Sequence, residues 1–252
     1  MLLWCLPQGL LASSLATPHA VTQYDYRIVA SYPHSVDSFT QGLEYRRGLI
    51  YESAGRRGQS RIFKRPLHSV EPLNSKRLPR QYFAEGLSLL DNKLFQLTWQ
   101  SGRGFIYDPD TLEKLGDFPI DGEGWGMTND GKHLITSDGT SRIRFIDPNT
   151  LATVRTVNVS FDGNPLVNLN ELEWIDGILY ANIWQSHWIV MIDPGSGHVI
   201  GKVYLKDLLP DSLRTAKTGV LNGIAFDHHQ KRLLVTGKYW PRIYHIELIQ
   251  IP

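Results

Sequence analysis

The chain has 252 residues, and its 26 Lys and Arg nearly balance its 25 Asp and Glu, giving a formal net charge of +1. A charge this close to zero argues against a nucleic-acid-binding surface and against a polybasic membrane-binding surface. The single cysteine, Cys5, excludes an internal disulfide framework and a cysteine-based metal site or nucleophile in the rest of the chain.

The chain begins with an apolar segment that ends in small residues. Ser14, Leu15 and Ala16 fit the small-x-small pattern of a signal-peptidase site. We therefore predict that residues 1–20 are a signal peptide, that residues 21–252 form a single domain, and that the protein is secreted or periplasmic. The alternative is that the segment is a disordered apolar tail. No later apolar run reaches the roughly 20 residues that a membrane-spanning helix needs.

Five copies of a short motif follow, and one position of each copy holds a glycine or a glutamate. These positions are 44, 40, 45 and 52 residues apart, and they are occupied by Gly42, Gly86, Gly126, Glu171 and Gly223. Each copy leads into a turn and a strand of alternating apolar residues, and further strands follow. Four strands in a repeat of about 40–50 residues are typical of a β-propeller.

The last repeat contains only three strands, whereas a spare strand at residues 26–30 precedes the first motif. An unpaired strand edge is unfavourable, so these two parts are expected to pair. The prediction is an all-β, five-bladed β-propeller with four antiparallel strands per blade, closed by the N-terminal strand pairing into the last blade. A β-sandwich is the alternative, but it does not account for matched motifs at matched spacing.

The residue just before each glycine position varies, and this variation indicates a site. In a propeller these five residues would meet at the central channel; they are Gln41, Glu85, Trp125, Asn170 and Asn222. Only Glu85 ionises. A carboxylate in an aromatic cavity is desolvated, which raises its pKa and suits it to proton transfer. The alternative is that such polar residues bind ordered water.

Two tryptophans and a lysine extend the candidate site. Trp99 lies 14 residues after Glu85, and Trp184 lies 14 residues after Asn170, which predicts that both rings lie at one level of the same face. Lys238 occupies the corresponding place in the last repeat. The alternatives are two core tryptophans and a solvated lysine.

Together these motifs resemble those of the plant and bacterial glutaminyl cyclases. The resemblance covers residues 24–248 and is carried by segments 39–43, 52–55, 83–87, 97–99, 123–126, 169–173, 182–184 and 221–225. It implies a five-bladed propeller that acts as an acyltransferase, a glutaminyl-peptide cyclotransferase that converts N-terminal glutamine to pyroglutamate and releases ammonia. It also implies that Glu85 is the general acid/base. The substrate-binding residues that it implies are Phe39, Gln41, Phe83, Trp99, Trp125, Asn170, Trp184 and Lys238.

The chemistry predicts no cofactor and no catalytic metal, and the sequence leaves open whether a structural cation lies in the channel. The expected partners are peptides or proteins with an N-terminal glutamine, bound by a monomer that contacts neither nucleic acid nor membrane. A non-catalytic propeller that binds a peptide terminus or a sugar in its aromatic channel is the main alternative. A metal-dependent propeller hydrolase or lyase is a weaker one, because only one carboxylate is expected at the channel.

Overall fold

A computed structural model describes residues 20–252 of the chain. The predicted signal peptide, residues 1–20, falls almost entirely outside the described residues. The described part is all-β apart from one 3₁₀ turn at Asp211–Leu213. Between residues 20 and 252, no helix is both long enough and apolar enough to cross a membrane.

Twenty-two strands make up the described chain. In chain order they are β1 (Thr22–Pro33), β2 (Thr40–Arg46), β3 (Leu49–Ala54), β4 (Arg61–Pro66), β5 (Asn74–Arg77), β6 (Ala84–Leu90), β7 (Lys93–Thr98), β8 (Arg103–Tyr107), β9 (Lys114–Pro119), β10 (Met127–Asn129), β11 (Leu134–Ser137), β12 (Arg142–Ile146), β13 (Thr153–Asn158), β14 (Ser160–Phe161), β15 (Asn164–Pro165), β16 (Leu169–Ile175), β17 (Ile178–Ile183), β18 (Trp188–Ile192), β19 (Val199–Tyr204), β20 (Leu221–Asp227), β21 (Arg232–Gly237) and β22 (Arg242–Gln250).

Consecutive strands form three four-stranded antiparallel sheets, β2–β5, β6–β9 and β10–β13, and β14 pairs with β15. Short hairpins connect the strands because the turns contain residues that tolerate positive φ. Asp91 and Asn92, for example, adopt φ of 49° and 55° between β6 and β7. The remaining strands form one eight-stranded sheet in the order β16-β17-β18-β19-β1-β22-β21-β20.

The predicted five-bladed β-propeller, with its separate four-stranded blades, is wrong. The N-terminal strand does pair with the last strand, β22, from Tyr24 to Pro33. It also pairs in parallel with β19, from Thr22 to Tyr24, because the far edge of β1 offers free backbone groups. This second pairing joins what the sequence suggested were two blades into a single sheet.

The eight-stranded sheet is nearly closed on itself. Its edge strands β16 and β20 are linked by two buried carboxylates: the backbone N–H of Ile224 donates to Glu171 at 2.7 Å, and that of Phe226 donates to Glu173 at 2.8 Å. The fold is therefore an all-β arrangement of one barrel-like eight-stranded sheet and smaller sheets.

The core lies between neighbouring sheets. One apolar cluster joins Ile62 of β4 to Leu87 of β6 and Leu94 of β7, and another joins Phe145 of β12 to Val190 of β18. Burying such side chains contributes about 1.5–3 kcal/mol each.

The motif glycines allow the strands that carry them to pack backbone against backbone. A Cβ on Gly86 would lie 2.4 Å from the backbone nitrogen of Met127, and a Cβ on Gly126 would lie 2.0 Å from the carbonyl oxygen of Asn170. No side chain fits such gaps. A Cβ on Gly42 would likewise lie 2.5 Å from the backbone nitrogen of Leu87, so the chain at β2, β6, β10 and β16 packs side by side at these glycines.

Candidate active site

All nine residues predicted for the site line one cavity of about 200 Å³. Three of them lie on strands: Gln41 on β2, Glu85 on β6 and Asn170 on β16. The other six lie in the loops directly before or after strands, and they are Phe39, Phe83, Trp99, Trp125, Trp184 and Lys238. The structure thus brings the whole predicted set together, and the role of each residue stays a prediction.

Aromatic rings in edge-to-face contact form the walls of this pocket. The ring centroids of Phe39 and Phe83 are 5.9 Å apart, and those of Phe83 and Trp99 are 5.8 Å apart. Across the pocket, the rings of Trp125 and Trp184 meet at 5.5 Å. Each such contact contributes about 0.5–1.5 kcal/mol beyond the burial of the rings, so the walls are preorganised.

Glu123, which the sequence prediction did not include in the site, holds two of these rings. Its Oε2 accepts hydrogen bonds from the indole N–H of Trp99 at 2.7 Å and from that of Trp125 at 2.9 Å. Its Oε1 accepts one from the Gln100 amide at 2.7 Å. Burial opposes the charge of Glu123, but these three hydrogen bonds lower its pKa and keep it ionised.

A carboxyl and an ammonium group share the interior of the pocket. Glu85 and Lys238 are each only 4% exposed. Burial raises the pKa of Glu85 well above its usual value, opposed by the charge of Lys238 and a hydrogen bond from Gln41, while the charge of Glu123 raises it further. Burial also lowers the pKa of Lys238 to about 8, against the attraction of Glu85. Both groups are thus tuned towards neutral pH, as in proton-transfer sites.

Two asparagine side chains lie near Glu85 and Lys238, and they differ in their hydrogen bonding. The Asn222 amide donates to the Thr40 carbonyl at 2.9 Å and to Gln41 Oε1 at 3.4 Å, so Asn222 supports Gln41 from behind and does not line the pocket. Oδ1 of Asn170 is buried and has no hydrogen-bond partner among the described residues. A buried acceptor left unpaired costs free energy, so Asn170 is suited to accept a hydrogen bond from a ligand.

A buried ionic network fixes the chain on both sides of Phe39. Glu52 accepts hydrogen bonds from the hydroxyls of Ser38 and Thr40, the latter at 2.8 Å, and it lies 3.1 Å from His34 Nε2. Burial opposes the charge of Glu52, but His34 and these hydrogen bonds, with the charge of Arg65, lower its pKa to about 2. Glu52 is therefore ionised at neutral pH and positions the start of β2.

Three more carboxyl groups lie on β2 and β16, the strands that carry Gln41 and Asn170, and the sequence prediction gave them no role. They belong to Glu44, Glu171 and Glu173. Burial raises the pKa of Glu44 to about 7, although Leu89 and Ser88 donate hydrogen bonds to it, and burial raises those of Glu171 and Glu173 well above their usual values. One signal was available: Glu44 and Glu173 each lie two residues after the glycine position of their motif. Within residues 20–252, no group of three or more His, Cys, Asp or Glu side chains is placed to hold a metal ion.

The fold and the pocket together define an all-β protein with an aromatic site built around a buried carboxyl and ammonium group, which is typical of enzymes that transfer protons. The model of the glutamine cyclotransferase family matches residues 1–248. The chain belongs to the glutamine cyclotransferase family, and the family resemblance predicted from the motifs is confirmed.

Individual relatives agree with this membership. The chain is 40% identical over 242 residues to a glutaminyl-peptide cyclotransferase of Arabidopsis thaliana, a match that covers 94% of this chain and 75% of the relative. The crystal structure of Myxococcus xanthus glutaminyl cyclase superimposes with a TM-score of 0.86 at 34% identity, covering 92% of this chain and 100% of that one. Hydrazine synthase of Kuenenia stuttgartiensis shares only the fold, with a TM-score of 0.51 and 13% identity over 86% of this chain and 64% of that one.

Proposed function

We propose that this pocket converts the N-terminal glutamine of a peptide or protein to pyroglutamate with release of ammonia, and that Glu85 carries the proton. The chain is thus a glutaminyl-peptide cyclotransferase, an acyltransferase, as its family membership and its relatives indicate. The observation that carries the proposed mechanism is the burial of Glu85 beside Lys238 in the aromatic pocket.

The size and lining of the pocket support a substrate of this kind. A cavity of about 200 Å³ is smaller than the roughly 300–1,000 Å³ typical of sites for drug-sized ligands, and it suits one amino-acid residue. The aromatic walls favour a folded-over glutamine side chain in which the α-amine faces the side-chain carbonyl. Oδ1 of Asn170 is free to accept a hydrogen bond from the amine or from the side-chain amide.

The reaction is intramolecular once the glutamine is bent. Its α-nitrogen attacks the γ-carbonyl carbon, a C–N bond forms, and the π electrons of the carbonyl move to its oxygen. Ionised Glu85 takes a proton from the attacking nitrogen and passes it to the side-chain nitrogen. The bond to that nitrogen then breaks, ammonia leaves and the carbonyl re-forms. Holding the bent conformer supplies several kcal/mol of the lowered barrier, and the proton transfer adds about 10²–10⁴-fold.

The negative charge that develops on the γ-carbonyl oxygen during the attack has to be stabilised by hydrogen-bond donors. With a pKa of about 8, Lys238 is mostly protonated at pH 7 and can stabilise this charge. The amide of Gln41, which donates to Glu85, is a second donor within the same pocket. The rings of the three tryptophans wall the pocket and reduce the access of water to it, which favours cyclisation over hydrolysis.

Every proton in this scheme moves through Glu85, so the proposed reaction requires no cofactor and no metal. Activity is expected to survive exhaustive dialysis against EDTA, and its loss with recovery on adding a divalent metal would contradict this part of the proposal.

The proposal also covers location and assembly. The apolar start of the chain, residues 1–20, supports a signal peptide and a secreted or periplasmic mature protein, which N-terminal sequencing of protein from the periplasm or medium tests. The near-zero net charge supports an enzyme that works without nucleic acid or membrane. We expect a monomer, which light scattering at several protein concentrations tests.

The central experiment compares wild type with Glu85→Gln on a peptide that begins with glutamine. Ammonia release and N-terminal blocking are measured, and the variant is expected to lose at least 10²-fold in kcat. Its melting temperature should not fall, because the amide removes a desolvated acid. Glu71→Gln, on the exposed surface, is the matched control.

Two outcomes would contradict the mechanism. Turnover by Glu85→Gln at the wild-type rate would show that the proton moves elsewhere. Saturable peptide binding by wild type without any ammonia release would favour a non-catalytic binding protein.

A further inference from the structure

A second, larger cavity opens beside the nine-residue pocket. It has a volume of about 930 Å³ and shares the ring of Phe39 with the pocket. Six charged side chains line it, namely Asp37, Arg56, Arg57, Arg61, Arg77 and Lys217. We call this cavity the arginine groove.

The groove concentrates positive charge in a chain whose net charge is only +1. Five cations face one carboxylate. That carboxylate, Asp37, lies 3.9 Å from Lys217, with both side chains about three-quarters exposed. Across residues 20–252, none of the four groove arginines has a carboxylate partner within 4.0 Å. The four guanidinium groups contact aromatic rings or solvent and carry charges that no carboxylate of the described residues neutralises, so they can bind anions.

Two of these arginines oppose each other across neighbouring strands. Arg61 of β4 and Arg77 of β5 are directly paired in the antiparallel register. Like charges in this position repel and destabilise a sheet. No carboxylate between residues 20 and 252 lies within 4.0 Å of either arginine, so an anion bound between the two would relieve this repulsion.

The two remaining arginines lie at the border with the pocket. The guanidinium carbon of Arg56 is 4.6 Å from the centre of the Phe39 ring, and its Nε donates to the Tyr239 hydroxyl at 3.0 Å. The guanidinium carbon of Arg57 is 6.0 Å from the centre of the Trp99 ring. Arg56 adopts a φ of 99°, a strained conformation for a residue with a side chain, and such strain is concentrated at binding sites.

A peptide substrate extends beyond the pocket. Because the pocket accommodates about one residue, the second and following residues of a bound peptide lie outside it. The groove begins at the shared Phe39 ring, so it is placed to receive them. Guanidinium groups bind carboxylates through paired, charge-assisted hydrogen bonds.

We propose that the arginine groove binds the residues after the N-terminal glutamine and selects peptides in which these residues are acidic. This inference rests on the proposed cyclase function, since it names the substrates that the same site prefers. The groove acts on binding and not on the chemical step.

The test compares three peptides that carry Ala-Ala, Glu-Glu or Lys-Lys after the glutamine. At low ionic strength we expect kcat/KM for the Glu-Glu peptide to exceed that for the Ala-Ala peptide at least tenfold, mainly through KM, with the Lys-Lys peptide the poorest. At 0.5 M salt the ratio should fall towards one, since the Debye length is then only about 4 Å. Turnover of every peptide at equal kcat/KM would overturn the groove proposal alone, whereas no turnover of any peptide would overturn the cyclase function.

The variant Arg77→Gln tests whether the arginine groove causes the preference for acidic peptides. We expect it to lower the Glu-Glu to Ala-Ala ratio at least threefold while its melting temperature stays the same or rises, because the like-charge pair with Arg61 is relieved. A purely structural role for Arg77 would give the opposite, an unchanged ratio with reduced stability. Arg47→Gln, an exposed arginine in the β2–β3 turn, is the control and should leave the ratio unchanged.

Discussion

Replacing Glu123 tests whether the pocket depends on the carboxylate that holds its tryptophans. In Glu123→Gln the amide oxygen of the new glutamine can accept hydrogen bonds from the indoles of both Trp99 and Trp125. The NH₂ group of that glutamine then faces the NH₂ group of Gln100, so two donors meet and this hydrogen bond is lost. The indole bonds change from charge-assisted to neutral, a loss of about 1 kcal/mol each. If the whole of this energy holds the rings in place, kcat/KM falls about 30-fold.

A second consequence distinguishes this role from a general loss of structure. The charge of Glu123 raises the pKa of Glu85, so its removal lowers the pKa of Glu85. The part of the pH profile of kcat/KM that reports the ionisation of Glu85 should therefore move to lower pH in Glu123→Gln. Steady-state kinetics from pH 5 to 10 measure both effects, and Asp121→Asn, an exposed charge change in the same loop, is the control.

A double-mutant cycle completes the test. Trp99→Phe keeps a ring but removes the indole donor, so its cost should be much smaller when Glu123 is already glutamine. Additive costs for the two changes, or a Glu123→Gln enzyme within twofold of wild type with an unshifted profile, would refute the claim that Glu123 positions the rings.

Two carboxyl groups with shifted pKa values, those of Glu52 and Glu44, predict opposite responses of stability to pH. The folded pKa of Glu52 is about 2 against an ordinary 4.5, so ionised Glu52 contributes about 3 kcal/mol to the free energy of unfolding. This contribution is present above pH 4.5 and is lost as pH falls through 2. Urea unfolding of Glu52→Gln should therefore show no such loss of stability at acid pH, and a loss like that of wild type would contradict the assignment. The folded pKa of Glu44 is raised to about 7, so its contribution is present below pH 4.5 and lost as pH rises through 7, by at most about 3 kcal/mol because solvent reaches part of the side chain. Glu44→Gln should therefore be more stable than wild type at pH 8 and similar at pH 4, and equal stability at both would refute the assignment.

The sequence predicted the nine pocket residues because repetition and family resemblance point to the same positions. Gln41, Glu85 and Asn170 precede equivalent motif positions, and close backbone packing at Gly86 and Gly126 explains why those positions hold glycine. Repeats of this kind fix which strand ends meet, so they also predict which side chains share a cavity.

What the sequence missed depends on contacts between distant segments. Glu123 lies two residues before Trp125 in the sequence, but its role follows from a hydrogen bond with the indole of Trp99, 24 residues away, and neither motif predicts that contact. The single eight-stranded sheet was missed for a similar reason. It results from a three-residue parallel pairing, Thr22 to Tyr24 with β19, and so short a pairing leaves no pattern in either strand.

Three glutamates lie on or beside the pocket, namely Glu52, Glu85 and Glu123, and the difference between their partners separates their roles. Glu52 receives hydroxyl hydrogen bonds and the charge of His34, so its pKa lies far below neutrality and it stays ionised. Glu123 is ionised as well, because three donors hold it. Glu85 has one amide donor and an ammonium whose own pKa has dropped to about 8, so burial dominates and its pKa rises. A group that must accept and return a proton within one turnover needs a pKa near the working pH, and of these three only Glu85 is moved in that direction.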